Sequence, residues 1–279
     1  MKRFLLLLFV LAAWMMPEQA SAQALATCTV AGSTTTYPTG TACWGEPTSY
    51  QVTVYEAGIC TSAPTDPTTT TALDVSACEV VFTNTSGSTI TVSSTSGGVL
   101  SGTFTRPANG TYTHGYVKVD KDFVVTSNVD FGLGAVINGT SAGAGRFCAT
   151  ITGSSAGGGA TSQCGAAAPA AGNLTVPLTD FDGGGGFDAT ASATFTGGSG
   201  TVTINAFLVT SSELLAAASG TVTRLFGVEQ FGSPLTIDNS VTGMDLSFRV
   251  STGMTLIDQG GNTLDFASGP FVVDITLFN

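Results

Sequence analysis

The segment TYTHGYVKVDKDFVVT, Thr111 to Thr126, decides the fold class. Tyr112, His114, Tyr116 and Lys118 alternate with Thr113, Gly115, Val117 and Val119, a period of two that belongs to a strand and not to a helix. Asp120-Lys121 interrupts the run and Phe123 to Thr126 resumes it, so the pair reads as a hairpin connection. Upstream, Glu79 to Thr83, Ser88 to Ser93 and Val99 to Thr105 repeat the pattern. Thr85-Ser86-Gly87, Ser96-Gly97-Gly98 and Pro107-Ala108-Asn109-Gly110 supply turn residues between them. With Tyr50 to Glu56 before it, and Phe131 to Ile137 and Arg146 to Ile151 after it, this half of the chain reads as an antiparallel meander.

Gly153 to Gly172 is almost entirely Gly, Ala and Ser and marks a boundary or a long loop. Beyond it the strand pattern returns: Leu174 to Thr179, Ala191 to Thr196, Val202 to Val209, Thr221 to Val228, Leu235 to Asp238, Met244 to Val250, Thr255 to Asp258 and Phe271 to Phe278. Only Glu213 to Ala218 reads as a helical turn. Short strands parted by Gly, Pro and Asn turns, without a fixed repeat, predict an all-β chain built as an antiparallel β-sandwich. Two stacked or fused β units are expected: a disulfide-stapled domain over 23–165 and a cysteine-free domain over 166–279. The alternative is one large jelly-roll-like sandwich.

The first 22 residues carry the parts of a secretory signal peptide in order. Lys2 and Arg3 are followed by the apolar run Phe4 to Met16, the breaker Pro17, and Ala20-Ser21-Ala22, after which cleavage is expected. The apolar run is shorter than the roughly 20 residues a membrane span needs. The mature chain is therefore expected to be secreted or displayed at the cell surface, and not membrane-embedded. Leu25-Ala26-Thr27-Cys28 only half matches a lipidation signal, because threonine stands where a smaller residue is usual.

Export gives meaning to the cysteines. Cys28, Cys43, Cys60, Cys78, Cys148 and Cys164 fall into three neighbouring couples. No close C-x-x-C pair of the kind zinc favours occurs. Disulfides Cys28–Cys43, Cys60–Cys78 and Cys148–Cys164 are expected, each closing a loop worth about 3 kcal/mol in the chain-entropy account.

Removing Lys2, Arg3 and Glu18 with the signal leaves six cations against 18 acids, a net charge of −12. So acidic a chain, with its cations scattered, lacks the basic patch that nucleic acid demands. Serine and threonine make up about a quarter of the chain and do much of the solubilising that charge does elsewhere. Lysine is correspondingly scarce, which leaves strand edges with few guards against pairing with other chains.

Catalytic machinery is not visible. His114 is the only histidine, and no Gly-x-Ser-x-Gly elbow accompanies it. Asp120, Asp122 and Asp130 sit where hairpin ends are expected, a sufficient reason for aspartate there. The chain is accordingly expected not to be an enzyme and to need no cofactor. The one metal-like feature is Asp180, Asp182 and Asp188 around a tetraglycine, a flexible oxygen-rich loop of the kind calcium prefers. Trp44, Tyr50, Tyr55, Tyr112 and Tyr116 would suit stacking against sugars if they shared a face. Asn84, Asn109, Asn138 and Asn173 head glycosylation sequons that chance explains in so Ser/Thr-rich a chain.

At the C-terminus, Phe271, Val273, Ile275 and Leu277 form one apolar face of a strand, which requires burial in a sheet. These features together predict a structural subunit of an extracellular filament, sheath or matrix, self-associating through β-strand edges. The alternative is a secreted glycan-binding or adhesive module, with calcium as its one expected ion.

Overall fold

A computed structural model describes residues 25–31, 33–93, 98–181, 186–197 and 200–278. The expected signal segment, 1–22, lies outside them. The fold is all-β and sandwich-like, with several mixed and antiparallel sheets packed together.

Its larger layer is a ten-stranded sheet organised around Ser49–Cys60. Alternating burial of Tyr50, Val52 and Val54 is what commits this segment to a strand between two layers. On one side it pairs with Cys78–Val92, from Tyr50 opposite Val92 to Cys60 opposite Cys78. On the other it pairs with Gly110–Asp120 and then with Asp122–Thr126.

Two expected hairpins are absent here. Thr85-Ser86-Gly87 lies inside the continuous strand Cys78–Val92, and Asp120-Lys121 joins two runs that are both antiparallel to Ser49–Cys60. Neither reverses the chain: the first is a bulge beside Tyr55, where Val54 pairs with Ser88 and Glu56 with Thr83, and the second lies between the pairs Val54–Val119 and Gln51–Val124. The local chemistry is that of a turn all the same. Asn84 Oδ1 accepts from the Ser86 N–H at 3.0 Å, and Asp120 Oδ1 accepts from the Asp122 N–H at 3.1 Å. Gly87 adopts φ +82°, and a Cβ there would come within 2.6 Å of Thr53 Cγ2.

The sheet continues from Gly110–Asp120 to Arg224–Ile237, Gly200–Val209 and Thr190–Gly197. Beside Asp122–Thr126 lies Leu174–Pro177. Strands from 23–165 and from 166–279 thus share one sheet. Other expected segments differ: of Val99 to Thr105 only Thr103–Phe104 is a strand, and Phe131 to Val136 is not a strand, because Gly132 and Gly134 turn it at φ +89° and +84°. Glu213 to Ala218 is not helical, since Glu213 has φ +63° and Leu214 and Leu215 form isolated bridges.

The facing layer is made of Ala42–Gly45, Met254–Asp258, Thr263–Ser268, Ile137–Gly139 and Ala144–Gly145. Next to it, Gly243–Arg249 and Val272–Phe278 pair only with each other among the described residues. A third small sheet contains Phe147–Thr150 and Ser162–Gly165. The core joins Tyr50, Phe123 and Leu174 of the large sheet to Leu256, Leu264 and Phe266 opposite. Phe271 knits the layers, its ring 6.2 Å from Tyr50, 6.1 Å from Phe123 and 5.8 Å from Phe248.

All three cysteine couples are bonded in the pairs expected from their spacing. Cys60–Cys78 closes the Pro/Thr-rich excursion 61–77, which folds Leu73 onto Phe207, Phe226 and Val228 on the outer face of the large sheet. Three disulfides fit an oxidising, extracytoplasmic environment. Among the described residues no helix is long and apolar enough to cross a membrane.

Candidate functional site

Sandwich layers stand about 10 Å apart, and large side chains normally fill the gap. In one region of the large sheet the inward positions are small. Ala191, Ala206, Gly227, Val117 and Ala57 stand directly opposite one another across five strands. In the next row Ala193, Ile204, Glu229 and Gly115 do the same. With so little side chain on this wall the layers cannot close, and a cavity of ≈ 910 Å³ remains between them. Its far wall is Leu246, Phe271, Val273 and Ile275 from the C-terminal strand pair, with Ile257 and Ala267 from the facing sheet. Trp44 and Phe195 close one part, their rings 5.6 Å apart, and Phe181 and Phe187 another. Ala206, Phe231, Phe271 and Val273 are only half-buried although they lie on inward faces, so solvent reaches them.

Among the described residues, the charged ones lining this space are Asp180, Asp188 and Glu229, and no lysine, arginine or histidine joins them. Glu229 is the deepest chemically: its Oε2 accepts from the Val273 N–H at 3.2 Å, joining the large sheet to the C-terminal pair. Burial pushes its carboxyl up to about 7; the Val273 N–H and Arg249 oppose that rise, and Asp274 adds to it. Arg249 itself is held by Asp274 through bonds of 3.1 and 3.2 Å.

Asp180 and Asp188, expected to bind calcium, stand at the neck of the glycine loop beside the cavity. The Asp188 N–H donates to Asp180 Oδ1 at 3.0 Å, and Asp188 Oδ1 accepts from Thr190 N–H and Oγ1–H at 2.8 and 3.0 Å. Their carboxylates thus shape the turn. Asp182 lies outside the described residues. Among the described residues no three acidic, histidine or cysteine side chains are grouped to hold a metal ion.

The other residues singled out by sequence are dispersed. Tyr50 and Tyr112 are buried in the main core, and Tyr116 belongs to the outer-face cluster. Tyr55 lies under Arg224, whose guanidinium carbon is 3.8 Å from the ring centre, and Trp44 faces the cavity. The aromatic platform expected for sugars is therefore not assembled, because alternation and the bulges send these rings to different faces. His114 contacts Thr113 Oγ1 at 2.8 Å through Nδ1, and burial lowers its pKa. Asp120 accepts from the Tyr55 hydroxyl at 2.9 Å, Asp122 pairs with Lys121 at 2.6 Å, and Asp130 with Arg146 at 2.9 Å. These carboxylates serve local pairs and do not face one another across a cleft.

Glu229 was missed by motif reasoning, yet it had a signal. In Leu225, Gly227, Glu229 and Phe231 one face of a strand is apolar or small except for a single acid. Comparison with protein-family models, curated proteins and solved structures finds no match to this chain.

Proposed function

We propose that the protein is an extracytoplasmic binding protein that takes an apolar molecule into the cavity between its β layers. The observation that carries this reading is the ≈ 910 Å³ space lined by apolar side chains with a few polar groups at chosen points. That size and lining match the sites small molecules occupy in proteins. A row of small side chains across five strands, alanine or glycine at all but Val117, keeps the space open. Such a row has no packing benefit of its own, since a void forfeits dispersion contacts.

The test uses a built-in reporter. The chain has two tryptophans, Trp14 in the expected signal and Trp44 in the cavity wall. Titration of mature protein with an uncharged naphthalene dye should change Trp44 emission saturably at one equivalent. Emission that stays flat while the dye remains unbound overturns the reading.

Self-association through strand edges remains a second reading, favoured by one edge. Among the described residues only the two-residue strand Thr103–Phe104 pairs with the outer side of Cys78–Val92, at Phe82 and Thr83. Val80 and Phe104 there are 39% and 57% exposed. The two mature lysines do not guard it: Lys118 pairs with Glu213 and Lys121 with Asp122. The terminal strand is a weaker donor than expected, because Phe271, Val273 and Ile275 face the chain's own cavity. Sedimentation in high salt, where the charge is screened, should show oligomers that Phe104→Lys disperses. Monomers under all conditions would remove this reading.

A further inference from the structure

We infer that the molecule the cavity takes is a hydrophobic amine, an apolar body carrying one cationic nitrogen, and not a fatty acid. The inference rests on reading the cavity as a ligand site and adds the chemistry of the head group. Three observations carry it.

The first is the sign of the lining charge. Asp180, Asp188 and Glu229 border the space, without a basic side chain among the lining residues. An anionic head group brought inside would meet carboxylates, and the one cation acting on Glu229, Arg249, is already held by Asp274, a juxtaposition that electrostatic specificity works against. The net charge of −11 for the full chain extends the same field outward and draws cations toward the opening.

The second is the setting of Glu229. One carboxylate oxygen accepts from the Val273 N–H, and no other hydrogen bond to this side chain occurs among the described residues. The Val273 contact holds the group in place and leaves the remaining lone pairs for a donor. Its register neighbours in the sheet are Ile204 and Gly115, neither of which brings a polar atom to compete. A protonated amine supplies both the donor hydrogens and the opposite charge.

The third is the aromatic lining beside the carboxyl. The ring of Phe231 lies over Gly115, the register partner of Glu229, with ring atoms 3.0 and 3.1 Å from where a Cβ would stand. Phe231 stands two residues on from Glu229 along the same strand face, so an alkylammonium held by the carboxyl has an aromatic ring within the same stretch of wall, where cation–π attraction adds to the charge. Phe271, Phe195 and Trp44 farther along the wall accept the apolar body.

The experiment compares decylamine, decanol and decanoic acid at pH 8, by Trp44 emission and calorimetry, on wild type and Glu229→Gln. Wild type should bind the amine at least tenfold more tightly than the alcohol, and decanoate least of all. In Glu229→Gln the ratio of amine to alcohol affinity should fall toward one. Decanoate binding as tightly as the amine, or a ratio that Glu229→Gln leaves unchanged, overturns the amine inference while the cavity still counts as a site. If wild type binds none of the three, the cavity reading fails and the amine inference fails with it.

Discussion

Glu229 sits in an environment that its side chain disfavours. A carboxyl held in an apolar wall loses hydration, and the Val273 N–H only partly replaces it. Its folded pKa of about 7 stands above the ordinary 4.5, so the stability tied to this group is full below pH 4.5. That stability is lost as pH rises toward 7, where the folded protein must carry the buried charge. Glu229→Gln keeps an acceptor for Val273 and removes the charge. It should raise stability at pH 8 by about 1–2 kcal/mol, a figure discounted for the water that reaches the cavity. The gain should shrink to nothing near pH 4. Denaturant unfolding at the two pH values measures it, and an equal effect at both would show that Glu229 is ordinarily hydrated. Binding should follow the opposite slope. Glu229 faces Asp274 and Arg249 from the C-terminal pair, with Asp180 and Asp188 bordering the same cavity. Affinity for an alkylamine should therefore rise between pH 5 and 8 as Glu229 ionises, and calorimetry across that range reads it directly.

Elements of this fold are held by long pairings more than by turns, and that governs what sequence could reveal. Alternation identified the strands on either side of Thr85-Ser86-Gly87 and of Asp120-Lys121, and those segments are strands. Their connection was not legible, because a bulge and a tight hairpin use the same residues: glycine at positive φ and an Asx side chain bonding two residues on. What separates them is whether one partner strand is long enough to pair with both halves. Ser49–Cys60 is, and that is a non-local fact. The cysteine couples were legible for the converse reason, since each closes a short local loop. Cys60 and Cys78 are register partners on adjacent strands and pin the cover over Phe207, Phe226 and Val228. Replacing both with alanine should cost about 2–4 kcal/mol. It should also raise amide exchange in 61–77 well before the sheet opens. Uniform loss of protection across the whole chain would mean that the cover and the sheet are one cooperative unit.

At the scale of the whole molecule, two β layers built from both halves of the chain enclose a space that neither half contains alone. The fold class followed from strand periodicity. The cavity did not, because Ala57, Ala191, Ala206 and Gly227 become one wall only when five strands align in register. Each is unremarked in its own segment. That wall also offers the most direct test of the central claim. A Cβ at Gly227 would meet only Val117 Cγ1, at 3.4 Å, so a side chain there enters open space. Gly227→Val with Ala206→Leu should fill part of the cavity and raise stability, by about 0.8 kcal/mol for each added methylene that becomes buried. The decisive measurement is the affinity of this double variant for an uncharged apolar dye, read from Trp44 emission beside wild type. The account predicts a variant at least as stable as wild type whose affinity has fallen tenfold or more. A stable variant that binds the dye as tightly as wild type would contradict it.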